Sequence, residues 1–119
     1  MKDYYETLKY EDKEYKLVFN INVMQDLQEK YGTFDKWTSL VVPEGEDAEP
    51  SVRAVVDVYT AMLNEGIDIE NEANGTKIKP FTTRQVGRMI TAIGLEKAVE
   101  VMSSVVSGST EGGRDSKNE

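Results

Sequence analysis

The stretch YEDKEYKLVFNINVMQDLQEKYG, residues 10–32, changes from one hydrophobic period to another within a few residues. Up to Phe19, apolar and polar side chains alternate, which is typical of a half-buried β-strand. After Asn20, apolar side chains recur at the spacing of an α-helix that ends at Gly32. The sequence therefore predicts a β-hairpin that is followed directly by a helix.

The hairpin is predicted to contain two short strands, Tyr5–Tyr10 and Tyr15–Phe19, joined by residues 11–14. Tight hairpin turns favour Asn-Gly or Asp-Gly, because their central residues need a positive φ. Lys13 follows Asp12 here, at a position where glycine would be more comfortable. The sequence therefore leaves the type of turn open.

Four or five helices are predicted to follow, and all but the last begin at a polar residue that can cap the first turn. The third helix has the strongest apolar stripe, Val52–Leu63, and Gly66 is predicted to end it. Residues 67–80 lack helical periodicity, and Asn74-Gly75 favours a second small hairpin there. The predicted N-caps are, in chain order, Asn20 or Asn22, then Thr33, Ser51 and Thr82.

The predicted fold class is α+β: an N-terminal antiparallel β-hairpin, a bundle of four to five helices and a disordered C-terminal tail. Residues 1–106 are predicted to form a single domain, in which Gly94 separates the last two helical runs. Residues 107–119 are predicted to form a flexible polar tail. They contain no aliphatic or aromatic side chain that could offset the entropy cost of ordering them.

Composition excludes several classes of function. The chain of 119 residues contains no cysteine and no histidine, which excludes thiolate chemistry, serine–histidine catalysis and cysteine-bound zinc. A net charge of −8 disfavours nucleic acids and anionic membranes as partners, because both require a basic surface. We expect a soluble, intracellular protein that is not an enzyme and needs no cofactor.

An acidic segment that begins at Asp68 resembles the start of a calcium-binding EF-hand loop, because oxygen ligands occupy every second position. That loop needs glycine at its sixth position and glutamate at its twelfth. Ala73 and Lys79 stand at those positions here. The segment is therefore predicted to be a solvated acidic loop without a metal.

Two groups of side chains are candidates for binding a partner protein. Arg84 and Arg88 lie four residues apart, a spacing that suits an acidic partner but is also typical of an ordinary solvated helix face. Trp37 on the short second helix has two interpretations, a core residue or an interface residue, because tryptophan is common in both. The partner-binding hypothesis comprises Phe34, Trp37, Leu40 and Val41.

Residues 10–32 and the later segment FTTRQVGRMI, residues 81–90, resemble the tail assembly chaperones of long-tailed (siphovirus-type) bacteriophages and prophages. Members of that group commonly open with a short strand pair, enter a helix at once and reach a glycine after an acidic, leucine-containing turn. Asp12-Lys13 replaces the Asp-Gly of their hairpin. The resemblance extends over most of residues 8–106.

This resemblance implies a chaperone that binds the phage tape measure protein until tail tube protein polymerises around it. It implies a location in the cytoplasm of the bacterial host and absence from the mature virion. Many such proteins have a longer form made by ribosomal frameshifting, for which residues 107–119 would be a linker. Apolar helix faces that one hairpin cannot cover also suggest a homo-oligomer. The alternative is a small acidic inhibitor that mimics DNA and binds a host enzyme.

Overall fold

A computed structural model describes the backbone of residues 4–118 and the side chains as far as Ser109. Within this range a two-stranded sheet is followed by five helices, which confirms the predicted α+β fold. The elements are β1 (Tyr4–Tyr10), β2 (Lys13–Phe19), α1 (Ile21–Tyr31), α2 (Phe34–Val41), α3 (Val52–Asn74), α4 (Thr83–Ile93) and α5 (Leu95–Asn118).

The hairpin turn is shorter than predicted. Only Glu11 and Asp12 lie outside the strands, with φ angles of 50° and 63°, as a two-residue turn of the type I′ class requires. Lys13 begins β2 instead of belonging to the turn. In the extended part of the hairpin Lys9 lies opposite Glu14, a cross-strand pair of opposite charges.

The core forms around α3, which contacts β2 and each of the other helices. Most of its stripe is buried as predicted, but Val56 is half-buried and Val52 at its start is 54% exposed. The hairpin covers one side of α3, so the inward side chains of β2 are buried against it. The largest side chains of this core are Trp37, Tyr59, Phe19, Leu17, Leu27 and Met62.

The predicted end of α3 at Gly66 is wrong, since the helix continues to Asn74. A Cβ at Gly66 would lie 2.9 Å from the carbonyl oxygen of Lys16, so this glycine lets the helix pack closely against β2. The true end is Gly75, which has a φ of 66° and donates its N–H to the carbonyl of Asn71. The second small hairpin and the acidic loop predicted between residues 67 and 80 are also wrong, because residues 67–74 are helical.

The predicted helix starts are confirmed. Asn20, rather than Asn22, caps α1 and accepts a hydrogen bond from the N–H of Val23. Thr82 and Gln85 form the complete capping box at the start of α4. Thr33 caps α2, Ser51 caps α3, and Gly94, with a φ of 93°, separates α4 from α5.

Helix α5 does not end where its apolar stripe ends, at Val106. The Ser104 hydroxyl donates a 2.6 Å hydrogen bond to a carboxylate oxygen of Glu6 on β1. Gly108 lies against the Tyr4 ring, so close that a Cβ there would collide with it. Residues 107–109 thus belong to a helix that packs on the hairpin. The side chains of residues 110–119 lie outside the described residues, and for them the flexible tail stays a prediction.

Candidate functional site

The structure separates the four predicted partner-binding residues of α2. Trp37 and Val41 are each 1% exposed and belong to the core. The Trp37 indole donates a 3.2 Å hydrogen bond to the carbonyl oxygen of Ala54 on α3. Phe34 is half-buried, with its ring centroid 5.4 Å from that of Trp37, and Leu40 is 42% exposed. Among the four, only Phe34 and Leu40 present surface to a partner, and their binding role stays a prediction.

Leu40 belongs to an exposed apolar surface where α2 ends and α3 begins. The Ser51 N–H donates a 2.8 Å hydrogen bond to the Leu40 carbonyl, which holds the two helix ends together. Val42 lies two residues after Leu40, and Val52 directly follows Ser51. Both valine side chains are 54% exposed. We refer to Leu40, Val42 and Val52 as the α2–α3 edge.

Two depressions that share Leu95 in their linings lie among α3, α4 and α5, and together they form a groove in two parts. Its first part, of about 440 Å³, lies between α3 and α4 and includes the apolar side chains of Val52, Val56 and Leu95. Leu95 also lines a second part of about 590 Å³, which continues along α5 past Val99. We refer to the two parts together as the helical groove.

The two parts of the helical groove carry opposite charge. Arg84 and Arg88 of α4 line the first part, on either side of Gly87 in the sequence. Glu96 and Glu100 of α5 line the second part. None of these four charged side chains forms an ion pair with a described residue. The groove therefore offers a basic half and an acidic half that are joined by apolar side chains.

Sequence reasoning missed this groove for an identifiable reason. Val52 and Val56 match the same helical period as the buried residues of α3, so periodicity predicts that they face the core as well. Val52, Val55 and Val56 span about 100° of the helix circumference, the width of an ordinary buried face, so the stripe itself carries no signal that separates Val52 from the core. In the structure Val55 is buried, Val56 is half-buried and Val52 is exposed.

A second surface, between α1 and α3, is acidic. It surrounds a groove of about 250 Å³ and includes carboxylates from both helices. Partial desolvation of this exposed side chain, and then the neighbouring carboxylates of Glu29 and Glu65, raise the pKa of Asp26 above its usual value. Asp68 joins this surface because it lies on α3 instead of on a loop. No group of His, Cys, Asp or Glu among the described side chains is arranged to hold a metal ion.

One carboxylate of this surface is buried and has partners. Asp57 accepts a 2.6 Å hydrogen bond from the Tyr31 hydroxyl, and its other oxygen lies 3.5 Å from the Lys30 ammonium. Burial and this hydrogen bond raise the pKa of Tyr31, which keeps its hydroxyl protonated and able to donate. The three side chains Lys30, Tyr31 and Asp57 thus join α1 to α3. This structural role accounts for the buried carboxylate.

Comparison with known proteins gives no matching family model, no matching curated protein and no matching solved structure. In the described part of the chain, no helix combines the length and the apolar character that a membrane crossing requires. The function must therefore be inferred from the surfaces of the chain itself.

Proposed function

We propose that the protein is a phage tail assembly chaperone, a non-catalytic protein that binds the tape measure protein and assists assembly of the tail tube. The observation that supports this proposal is the apolar surface formed by the α2–α3 edge and the helical groove. It is exposed although the core beneath it is complete, with Trp37 and Val41 already buried. Exposed apolar surface of this kind is typical of a binding site.

The proposed partner fits this surface chemically. A tape measure protein that has not yet been enclosed by the tube exposes long amphipathic helices, whose apolar faces need cover. The net charge of −8 would keep a complex of many chaperone copies soluble through mutual repulsion. In this proposal the protein acts in the cytoplasm of the bacterial host and also binds the tail tube protein. It is absent from the mature virion.

Co-expression tests the proposal. The tape measure protein of the same phage or prophage is expressed alone and with this protein, and its soluble fraction is measured. We expect it to be soluble and to co-purify only when the two are expressed together. A tape measure protein that stays insoluble in the presence of this protein would refute the chaperone function.

Leu40→Lys tests the binding site within the same experiment. Leu40 is suitable because it is exposed, whereas replacement of buried Trp37 would disrupt the core. The matched control is Ile78→Lys, which replaces an apolar side chain of similar exposure, 44%, in the segment between α3 and α4. We expect Leu40→Lys, but not Ile78→Lys, to reduce the soluble fraction. Equal effects of the two substitutions would show that the α2–α3 edge is not the binding site, without contradicting the chaperone function.

The alternative function, an acidic inhibitor of a host enzyme, is favoured by the surface between α1 and α3. The structure has Asp26 and Glu29 on α1 and Asp68 on the adjacent helix α3. A mimic of DNA needs carboxylates spread over a face in this way. It predicts that the protein displaces duplex DNA from a host DNA-binding enzyme, and that neutralising these three carboxylates abolishes the displacement.

A further inference from the structure

We propose that the helical groove is the docking site for a single amphipathic α-helix of a partner protein. The partner helix would place acidic side chains beside Arg84 and Arg88, and basic side chains beside Glu96 and Glu100. The identity of this partner as the tape measure protein rests on the proposed function, whereas the groove and its ligand class do not.

The apolar side chains of the groove supply the driving force. Val52 is exposed, and Val56, Leu95 and Val99 are half-buried, so each still has apolar surface to remove from water. They come from α3 and α5, and Leu95 lines both parts of the groove. An apolar strip between helices suits the apolar face of another helix.

Gly87 is a second, independent observation at the same place. It lies inside α4, where glycine is less favourable than alanine. A Cβ at Gly87 would meet no atom within 4 Å, so packing within the chain does not require glycine. Gly66, in contrast, is required by the close approach of β2. A glycine on the groove surface would let the backbone of a partner helix approach α4 closely.

Charge indicates what the partner must carry. Arg84 and Arg88 are exposed, four residues apart and without an ion pair among the described residues, in a chain with a large excess of carboxylates. Side chains four apart on one helix face are neighbours, so two acidic residues at the same spacing would match them. Glu96 and Glu100 repeat this arrangement with opposite sign. The complementary ligand is therefore a helix with an acidic half and a basic half.

A synthetic peptide of about 18 residues, long enough to form a helix, tests this proposal. The probe has leucines on one face, two glutamates four apart in one half and two lysines four apart in the other. The control peptide has glutamine at the charged positions. Fluorescence anisotropy with the full chain should show that the charged peptide binds about tenfold more tightly. Equal binding of the two peptides would overturn the charge assignment and with it the proposal.

Two variants locate the binding. Gly87→Gln fills the groove without a clash in the free protein, and we expect it to weaken binding of the charged peptide at least about tenfold. Arg84→Glu/Arg88→Glu should weaken binding similarly, whereas the charge-matched control Lys77→Glu/Lys79→Glu, in the segment between α3 and α4, should not. Melting curves show that each variant is folded. Wild-type affinity in both groove variants would overturn the proposal.

A second copy of this chain is the competing occupant, because the two charged halves are complementary to each other. Sedimentation equilibrium of the wild type and Gly87→Gln separates the two cases. A dimer that Gly87→Gln converts to a monomer would overturn the proposal in favour of self-association. Peptide binding through the groove together with an insoluble tape measure protein would instead refute the chaperone function and leave the groove assignment. If the protein keeps the tape measure protein soluble, while both groove variants bind the peptide as the wild type does, the groove assignment would be refuted and the chaperone function would stand.

Discussion

Two glycines that lie inside helices of this protein have opposite surroundings. Gly66 in α3 lies against β2, where an added Cβ would be 2.9 Å from the carbonyl oxygen of Lys16. Gly87 in α4 faces open space, where an added Cβ would meet nothing within 4 Å. Their effect on helix propensity is the same, so any difference between them must come from their surroundings.

Alanine at each position should therefore change stability in opposite directions. Gly66→Ala forces α3 away from β2 and should lower the free energy of unfolding by about 1–3 kcal/mol. Gly87→Ala gains helix propensity without a clash and should raise it by about 0.5–1 kcal/mol. Urea unfolding of both variants measures this difference. Two changes of the same sign would show that close packing on β2 is not what requires Gly66.

At the scale of elements, α1 and α3 are joined by apolar packing and by the ion pair of Lys30 and Asp57, whereas the carboxylates around Asp26 repel one another. Leu27 of α1 is buried in the common core. At the surface of the same helix pair, the ionised form of Asp26 is disfavoured by partial desolvation and by the neighbouring carboxylates of Glu29 and Glu65, which together raise its pKa. A carboxyl group whose pKa is raised on folding reduces stability once the solution pH exceeds its pKa in the unfolded chain.

Asp26→Asn should consequently stabilise the protein in a pH-dependent way. The ordinary pKa of the group is 3.8, and the folded-state pKa is higher, so the penalty develops as pH rises through this interval and is complete at neutral pH. The gain from Asp26→Asn should be largest near pH 7 and should vanish as the pH falls below the ordinary pKa. Thermal unfolding of both proteins across this range measures it. A gain that is independent of pH would exclude charge as the cause.

At the scale of the whole molecule, helix α5 packs against strand β1 and so connects the last helix to the first strand. Helix α5 reaches back to the first strand, where Ser104 bonds to Glu6 and Gly108 lies against the ring of Tyr4. β1 has no other strand partner than β2 in the described sheet, so α5 is the element that covers it. This closure extends the folded domain beyond Val106, the boundary that composition indicated.

Two truncations test this closure. A chain ending at Ser109 keeps the contact between Gly108 and Tyr4 and should melt close to the full-length temperature. A chain ending at Val106 loses that contact and buried Ser109, and should melt several degrees lower. Equal melting temperatures of the two truncated chains would show that residues 107–109 contribute nothing to stability.

The sequence by itself determined the features that depend on near neighbours in the chain. A capping residue bonds to an N–H three positions later, so Thr33, Ser51 and Thr82 indicate the starts of their helices without any knowledge of the fold. Alternation of apolar residues likewise determined the two strands before any partner was known. These predictions succeeded because the atoms that decide them lie within a few residues.

Only the tertiary structure decided the features that depend on distant neighbours. Whether Gly66 ends a helix or lies against a strand depends on Lys16, fifty residues earlier in the chain. Whether Trp37 faces the core or a partner depends on the carbonyl of Ala54, and the helical groove exists only where α3, α4 and α5 meet. Periodicity states that a helix has an apolar face, but not how wide a face its neighbours can cover. That width depends on packing, which brings together residues far apart in the sequence.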